Sequence, residues 1–95
     1  MRVEWTDAAR FDVNEIDDRL SARDPRRADA LLERLFLRAE TLADFPDLGP
    51  VVPEAPDSGY RHLLVDGYRL LYKRTADVCY IVGVRMPGEG AFRVE

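Results

Sequence analysis

Between Tyr60 and Tyr72 the chain reads YRHLLVDGYRLLY, two runs of β-forming residues separated by Asp66-Gly67. A two-residue type I′ connection needs positive φ at both positions, which Asp and Gly tolerate, and it leaves no slack in the strands it joins. The predicted strands are Tyr60 to Val65 and Tyr68 to Arg74, with Val65 opposite Tyr68, Leu64 opposite Arg69, Leu63 opposite Leu70 and Arg61 opposite Tyr72. Alternation then places Arg61, Leu63, Val65, Tyr68, Leu70 and Tyr72 on one face, and Tyr60, His62, Leu64, Arg69, Leu71 and Lys73 on the other.

The first face is apolar through its middle and is the one expected against a helical layer. Arg61 sits at its margin beside Tyr72, where its stem can be buried while its head stacks or reaches water. On the second face Arg69 stands between Leu64 and Leu71. An unpaired guanidinium buried there would cost several kcal/mol, so Arg69 requires a carboxylate, from a partner molecule or from the chain's own 18 acidic residues.

A third strand is predicted from Val78 to Met86, after Thr75-Ala76-Asp77. Both of its alternations, Val78, Tyr80, Val82, Val84 and Cys79, Ile81, Gly83, Arg85, are largely apolar, so the pattern does not choose between them. Cys79 is the single cysteine. It has no intramolecular disulfide partner and reads as a buried reduced thiol, which suits a cytoplasmic protein.

Upstream, Arg2 to Trp5 (RVEW) is a short strand candidate, and Thr6 is a good helix cap with Asp7 in the first turn. Ala9, Val13, Ile16 and Leu20 then share one face of a helix over residues 7 to 22. Asp24-Pro25 restarts the chain as a cap followed by proline at the first helical position. Ala28, Leu31, Leu32, Leu35, Ala39 and Leu42 form the stripe of a second helix reaching about Asp44. Phe11, Phe36 and Leu37 fall off these stripes; they either pack at wide margins or form a second strip for a partner's helix. Phe45 to Gly59 holds four of the six prolines and is predicted as a connecting loop.

The fold class is therefore α+β, in the order β-α-α-β-β-β, with a helical hairpin on one face of a mainly antiparallel sheet. Residues 1–95 make a single domain, since 95 residues leave no room for a second core. One hairpin covers one face of a sheet, which leaves part of the other for a partner.

Net charge is 14 − 18 = −4, the wrong sign for a chain that works by gripping phosphates, so no direct nucleic-acid binding is expected. No stretch has the apolar length of a signal peptide or membrane span. There is no Cys/His spacing for zinc, no glycine-rich phosphate loop and no acidic pair suited to hydrolysis, so no metal or cofactor is expected.

Trp5-Thr6 with Ala9, Ala28, Leu42 with Phe45-Pro46 and Gly49, Pro53-Glu54, and then Arg61, Leu63, Val65, Tyr68-Arg69 and Tyr72 form an ordered set. From about Val3 to Arg85 it resembles the ParE branch of the RelE/ParE toxin superfamily. The resemblance implies the toxin of a type II toxin-antitoxin pair, neutralised by a ParD-like antitoxin in a hetero-oligomer. ParE-branch members typically poison DNA gyrase; RelE-branch members cleave mRNA on the ribosome.

Cleavage at a 2′-hydroxyl needs a base, cations for the pentavalent phosphate and a proton donor. The RelE branch resembles this recipe with lysines before the hairpin turn and an arginine after it. Here the positions before the turn are Arg61 and Leu63, or His62 and Leu64, and no lysine stands there. Arg69 matches the later arginine, and His62 is the one candidate acid or base.

The leading expectation is a gyrase-directed toxin that acts by binding and is not an enzyme, with no catalytic residue. A ribosome-dependent endonuclease using Arg69 and His62 is the second reading, and a nontoxic antitoxin-binding module the third. Expected antitoxin contacts are Phe11, Leu37, Tyr60, Arg61, Tyr68, Arg69, Tyr72 and Arg85, since arginines and tyrosines dominate interface energetics. In the C-terminal RMPGEGAFRVE, Arg85, Phe92 and Arg93 are the expected target contacts.

Overall fold

The computed structural model describes residues 1–90, in the order β1 (Arg2–Trp5), α1 (Asp7–Ser21), α2 (Pro25–Glu40), a 3₁₀ turn (Thr41–Ala43), β2 (Arg61–Val65), β3 (Tyr68–Arg74) and β4 (Val78–Arg85). Both predicted caps form. Thr6 Oγ1 accepts the Ala9 N–H at 3.2 Å, and Asp24 Oδ1 accepts the Arg27 N–H at 3.2 Å with Pro25 opening α2. The second helical segment tightens into the 3₁₀ turn at Thr41 and so ends short of Asp44 as α-helix.

The four strands lie in the order β1-β4-β3-β2. The β2–β3 hairpin has the predicted register throughout, and its turn has φ of 52° at Asp66 and 83° at Gly67. Strand β3 pairs antiparallel with β4, whereas β1 pairs parallel with β4, making the sheet mixed. Arg34 Nε reaches from α2 to Asp66 Oδ2 at 2.7 Å, tying the helical layer to the hairpin tip.

Strand β4 follows neither alternation over its whole length. Leu71 is opposite Gly83 and Tyr72 opposite Ile81, so Val82 is an extra residue on β4. A β-bulge of this kind switches the side-chain phase. Cys79 and Ile81 face the core before it and Val84 after it, all at most 2% exposed. Beside the bulge the Val84 N–H donates to Asp12 Oδ2 at 3.0 Å, from α1.

The core joins Ala9, Val13 and Ile16 of α1, Leu31, Leu35 and Ala39 of α2, and Leu42 to Leu63, Val65, Leu70, Tyr72, Cys79, Ile81 and Val84 of the sheet. Leu20 and Leu32 pack at its margin. Of the residues off the stripes, Phe36 meets Trp5 edge to face at 5.2 Å while remaining half exposed. Phe11 and Leu37 are exposed.

The opposite face of the sheet is less open than expected. Leu71 lies there and is fully buried, as is Val52 of the long loop, although neither belongs to the helix-side core. The loop is held to the start of β2 by Val52 N–H to the Tyr60 carbonyl (2.9 Å) and His62 N–H to the Pro50 carbonyl (3.1 Å). These bonds set the loop along the outer edge of β2, from which Glu54 reaches Arg69, while Leu64 stays exposed. No helix among the described residues is long and apolar enough to cross a membrane.

Candidate functional site

Arg61 and Tyr72, opposite each other in the hairpin, converge on one glycine. Arg61 Nη1 donates to the Gly49 carbonyl at 2.7 Å, while the Gly49 N–H donates to the Tyr72 hydroxyl at 2.9 Å. Asp47 adds ion pairs to Arg61 (3.8 Å) and Arg74 (3.1 Å), but it is 61% exposed, so each contributes at most about 1 kcal/mol. A hydrogen bond from a charged donor to a carbonyl is worth about 1.5–3 kcal/mol, so the contacts at Gly49 dominate. Burial raises the pKa of the Tyr72 hydroxyl, against the opposing effects of the Gly49 N–H and the Arg61 charge.

Arg69 finds its carboxylate within the chain. Its Nη1 and Nη2 donate to the two carboxylate oxygens of Glu54, both at 2.8 Å, and its Nε donates to His62 Nδ1 at 3.0 Å. The Arg69 and Glu54 side chains are 18% and 20% exposed. This planar fork resembles the strongest type of protein ion pair. Because His62 Nδ1 accepts, the neutral imidazole carries its proton on Nε2.

Burial and then the Arg69 guanidinium lower the His62 pKa, with Glu54 opposing them. The folded chain therefore binds this proton less well than the unfolded chain does. The resulting stability is fully present above the ordinary histidine value of about 6.5 and is lost as pH falls through the depressed folded value. Chemical denaturation at pH 7.5 and pH 5 is expected to show lower stability at pH 5, with a flatter profile for His62→Asn. Equal slopes for parent and variant would show that His62 does not contribute. Asp12 has the opposite sign: burial raises its carboxyl above 3.8, so it favours the folded chain as pH falls toward that range.

Arg85 lies opposite Arg69 across β3 and β4. Like charges in that relation repel unless each is neutralised. Arg85 pairs with Glu89 at 2.6 Å, and Glu89 also accepts the Met86 N–H at 3.0 Å. Burial pushes the Glu89 carboxyl up, but that hydrogen bond and Arg85 outweigh it, leaving the pKa lowered.

The structure thus joins Arg69 to His62, sets Arg85 opposite Arg69 in register but turned to Glu89, which lines a crevice with Asp12 and Arg19 of α1, and sets the remaining expected contacts apart. Tyr60 is half-buried beneath Lys73, whose Nζ lies 4.7 Å from the ring centroid. Tyr68 is half-buried at the core margin. Phe11 lines a crevice with Asp12, Ile16, Val84 and Met86, and Leu37 lines a different one with Arg34, Arg38 and Leu64. Tyr72 must be withdrawn from the surface set, because it is 0% exposed and its hydroxyl is used by Gly49. Phe92 and Arg93 lie outside the described residues.

Three participants had no role assigned from sequence. Gly49 and Glu54 belong to the ordered set of resembling residues, which signalled importance without function. Asp12 carried no local signal, since an acidic residue on a solvated helix turn is ordinary.

A helical hairpin on a mixed sheet ordered β1-β4-β3-β2, with both hairpin arginines bound to the preceding loop, makes this a small α+β domain. The fold is shared with a chain of the chromosomal ParDE toxin-antitoxin system from P. aeruginosa. The TM-score is 0.77 over 90% of this chain and 95% of that one, at 18% identity. The model of the family described as the ParE toxin of the type II toxin-antitoxin system, parDE, matches residues 3–86, and the chain belongs to that family. No curated protein matches the sequence.

Proposed function

We propose that this ParE-type toxin acts by binding DNA gyrase and holding it with its DNA cut, without catalysis of its own, and that a ParD-like antitoxin neutralises it in the cytoplasm. The observation that carries the non-catalytic reading is the state of Arg69. To stabilise a pentavalent phosphate it would have to leave both oxygens of Glu54, at 2.8 Å each. His62, whose Nδ1 lone pair accepts from Arg69, is not poised to take a proton from a 2′-hydroxyl. Arg61 is likewise committed to the Gly49 carbonyl. Their roles are to hold the loop, which supports a toxin that presents surfaces to its target.

The test adds purified toxin, freed from antitoxin, to gyrase supercoiling reactions and, in parallel, to translating ribosomes carrying end-labelled mRNA. Loss of supercoiling with accumulating cut DNA and intact mRNA is the expected result. Codon-positioned cuts in the mRNA with gyrase untouched would overturn the reading and make Arg69 and His62 a catalytic pair released from Glu54 on the ribosome. In that case Arg69→Ala would abolish cutting.

A further inference from the structure

Strand β2 is an edge of the sheet, and its outer side is only partly covered. The His62 N–H points away from β3 to the Pro50 carbonyl. Leu64, two residues on, presents its N–H and C=O in the same outward direction. The long loop runs beside it, with Gly49 packed against the His62 carbonyl and Leu48 lining the same trough, but its backbone hydrogen bonds to β2 end at His62, and among the described residues none reaches the Leu64 N–H or C=O. The Leu64 backbone is thus an open pairing position, the kind of edge that natural proteins either cover or use.

The surroundings are apolar and then cationic. Leu64 is 66% exposed, with Leu37 at 61% and Leu48 at 44%. Two adjoining troughs meet at Arg38 and Leu64, one running along Leu37 of α2 and the other toward Leu48 and Pro50 of the loop. Arg34 and Arg38 rim them, on a chain whose net charge is −4. Arg34 is held by Asp66, whereas Arg38 is exposed with no carboxylate partner among the described residues.

We propose that this trough receives an extended segment of the antitoxin, which adds to β2 at Leu64, sets an apolar side chain between Leu37 and Leu48, and places a carboxylate on Arg38. The proposal rests on the toxin-antitoxin reading above and specifies where the contact lies. Backbone pairing at an edge supplies affinity while side-chain pockets supply selectivity. The cationic rim on an acidic chain favours an acidic, apolar segment over a second copy of the same chain, which would bring its own Arg34 and Arg38 to the junction.

The experiment measures amide exchange and affinity for the toxin with a co-expressed ParD-like antitoxin. The Leu64 amide, exposed in the free chain, is expected to slow by about 100-fold or more in the complex, while Leu63, paired with Leu70, stays protected in both. Leu64→Glu and Arg38→Glu are each expected to weaken binding about tenfold or more. Both side chains are exposed, so the melting temperatures of the free variants should match the parent's. Unchanged affinity with fast Leu64 exchange in the complex would overturn the proposal while leaving antitoxin binding intact. Slow, concentration-dependent Leu64 exchange in the free chain, with a dimer by light scattering, would assign the edge to a second copy. Failure of the co-expressed protein to bind at all would defeat both this proposal and the neutralisation on which it rests.

Discussion

Tyr72→Ala is expected to destabilise the chain by about 3–5 kcal/mol and to lower its melting temperature by more than about 12 °C. Tyr72 is the largest of the fully buried side chains among the described residues and belongs to the helix-side core. Removing the ring leaves a cavity bounded by two packed layers, which can collapse only partly. It also strips the Gly49 N–H of its acceptor. Tyr72→Phe separates the two effects: it retains the packing and loses only the hydroxyl, for an expected cost of about 1–2 kcal/mol. Calorimetry of both variants makes the comparison, and a Tyr72→Phe midpoint equal to the parent's would remove the Gly49 contact from the stability account.

The second large effect is expected at Gly49 itself. A methyl group placed there would stand 2.3 Å from the His62 carbonyl oxygen, 3.0 Å from its carbon and 3.1 Å from Tyr72 Cε1. The nearest obstacle is the backbone of an edge strand, which cannot swing aside as a side chain does. Overpacking typically costs about 1–3 kcal/mol. Gly49→Ala is expected at or above about 3 kcal/mol, because relieving the clash also pulls Gly49 from Arg61 and Tyr72. Hydrogen exchange should show the Val52 amide, bonded to the Tyr60 carbonyl, opening before the β3–β4 ladder. A fully stable Gly49→Ala protein with a protected Val52 amide would mean that the loop can seat without this close approach.

Both effects concern the same loop, and the loop explains why two arginines occur inside the hairpin. Arg61 holds its first half through Gly49, and Arg69 holds its second half through Glu54. Replacing either partner of the Arg69–Glu54 pair leaves the other partly buried, at an expected cost of about 1–3 kcal/mol, below that of a fully buried pair. Growth phenotypes of Arg69 variants therefore need a folding control before they are read as loss of target contact.

Much of the fold was legible because it is decided locally. The register of β2 and β3 follows from Asp66-Gly67, since a two-residue turn allows one pairing. Thr6 and Asp24 begin their helices because each cap bonds an amide three residues away. The buried stripe from Ala9 to Leu42 follows from helical period alone. In each case near neighbours in the chain supply the deciding sterics or hydrogen bond.

What the chain could not reveal locally depends on distant segments meeting. Arg69 had 18 acidic residues to choose among, and Glu54 won because the proline-rich loop turns back along the β2 edge and brings it to Arg69, a path that no spacing encodes. The phase change at Val82 was hidden because both alternations of β4 are apolar. It is set by Asp12 on α1 taking the Val84 N–H and by packing against β3. The exposure of Leu64 on an open edge likewise required knowing that β1 docks beside β4 and leaves β2 outermost. Sequence alone determined the helices, the strands and the hairpin register, through short-range geometry. Tertiary structure decided which charges pair, where the loop runs and how far along β2 its hydrogen bonds reach, because those outcomes depend on how the layers pack together.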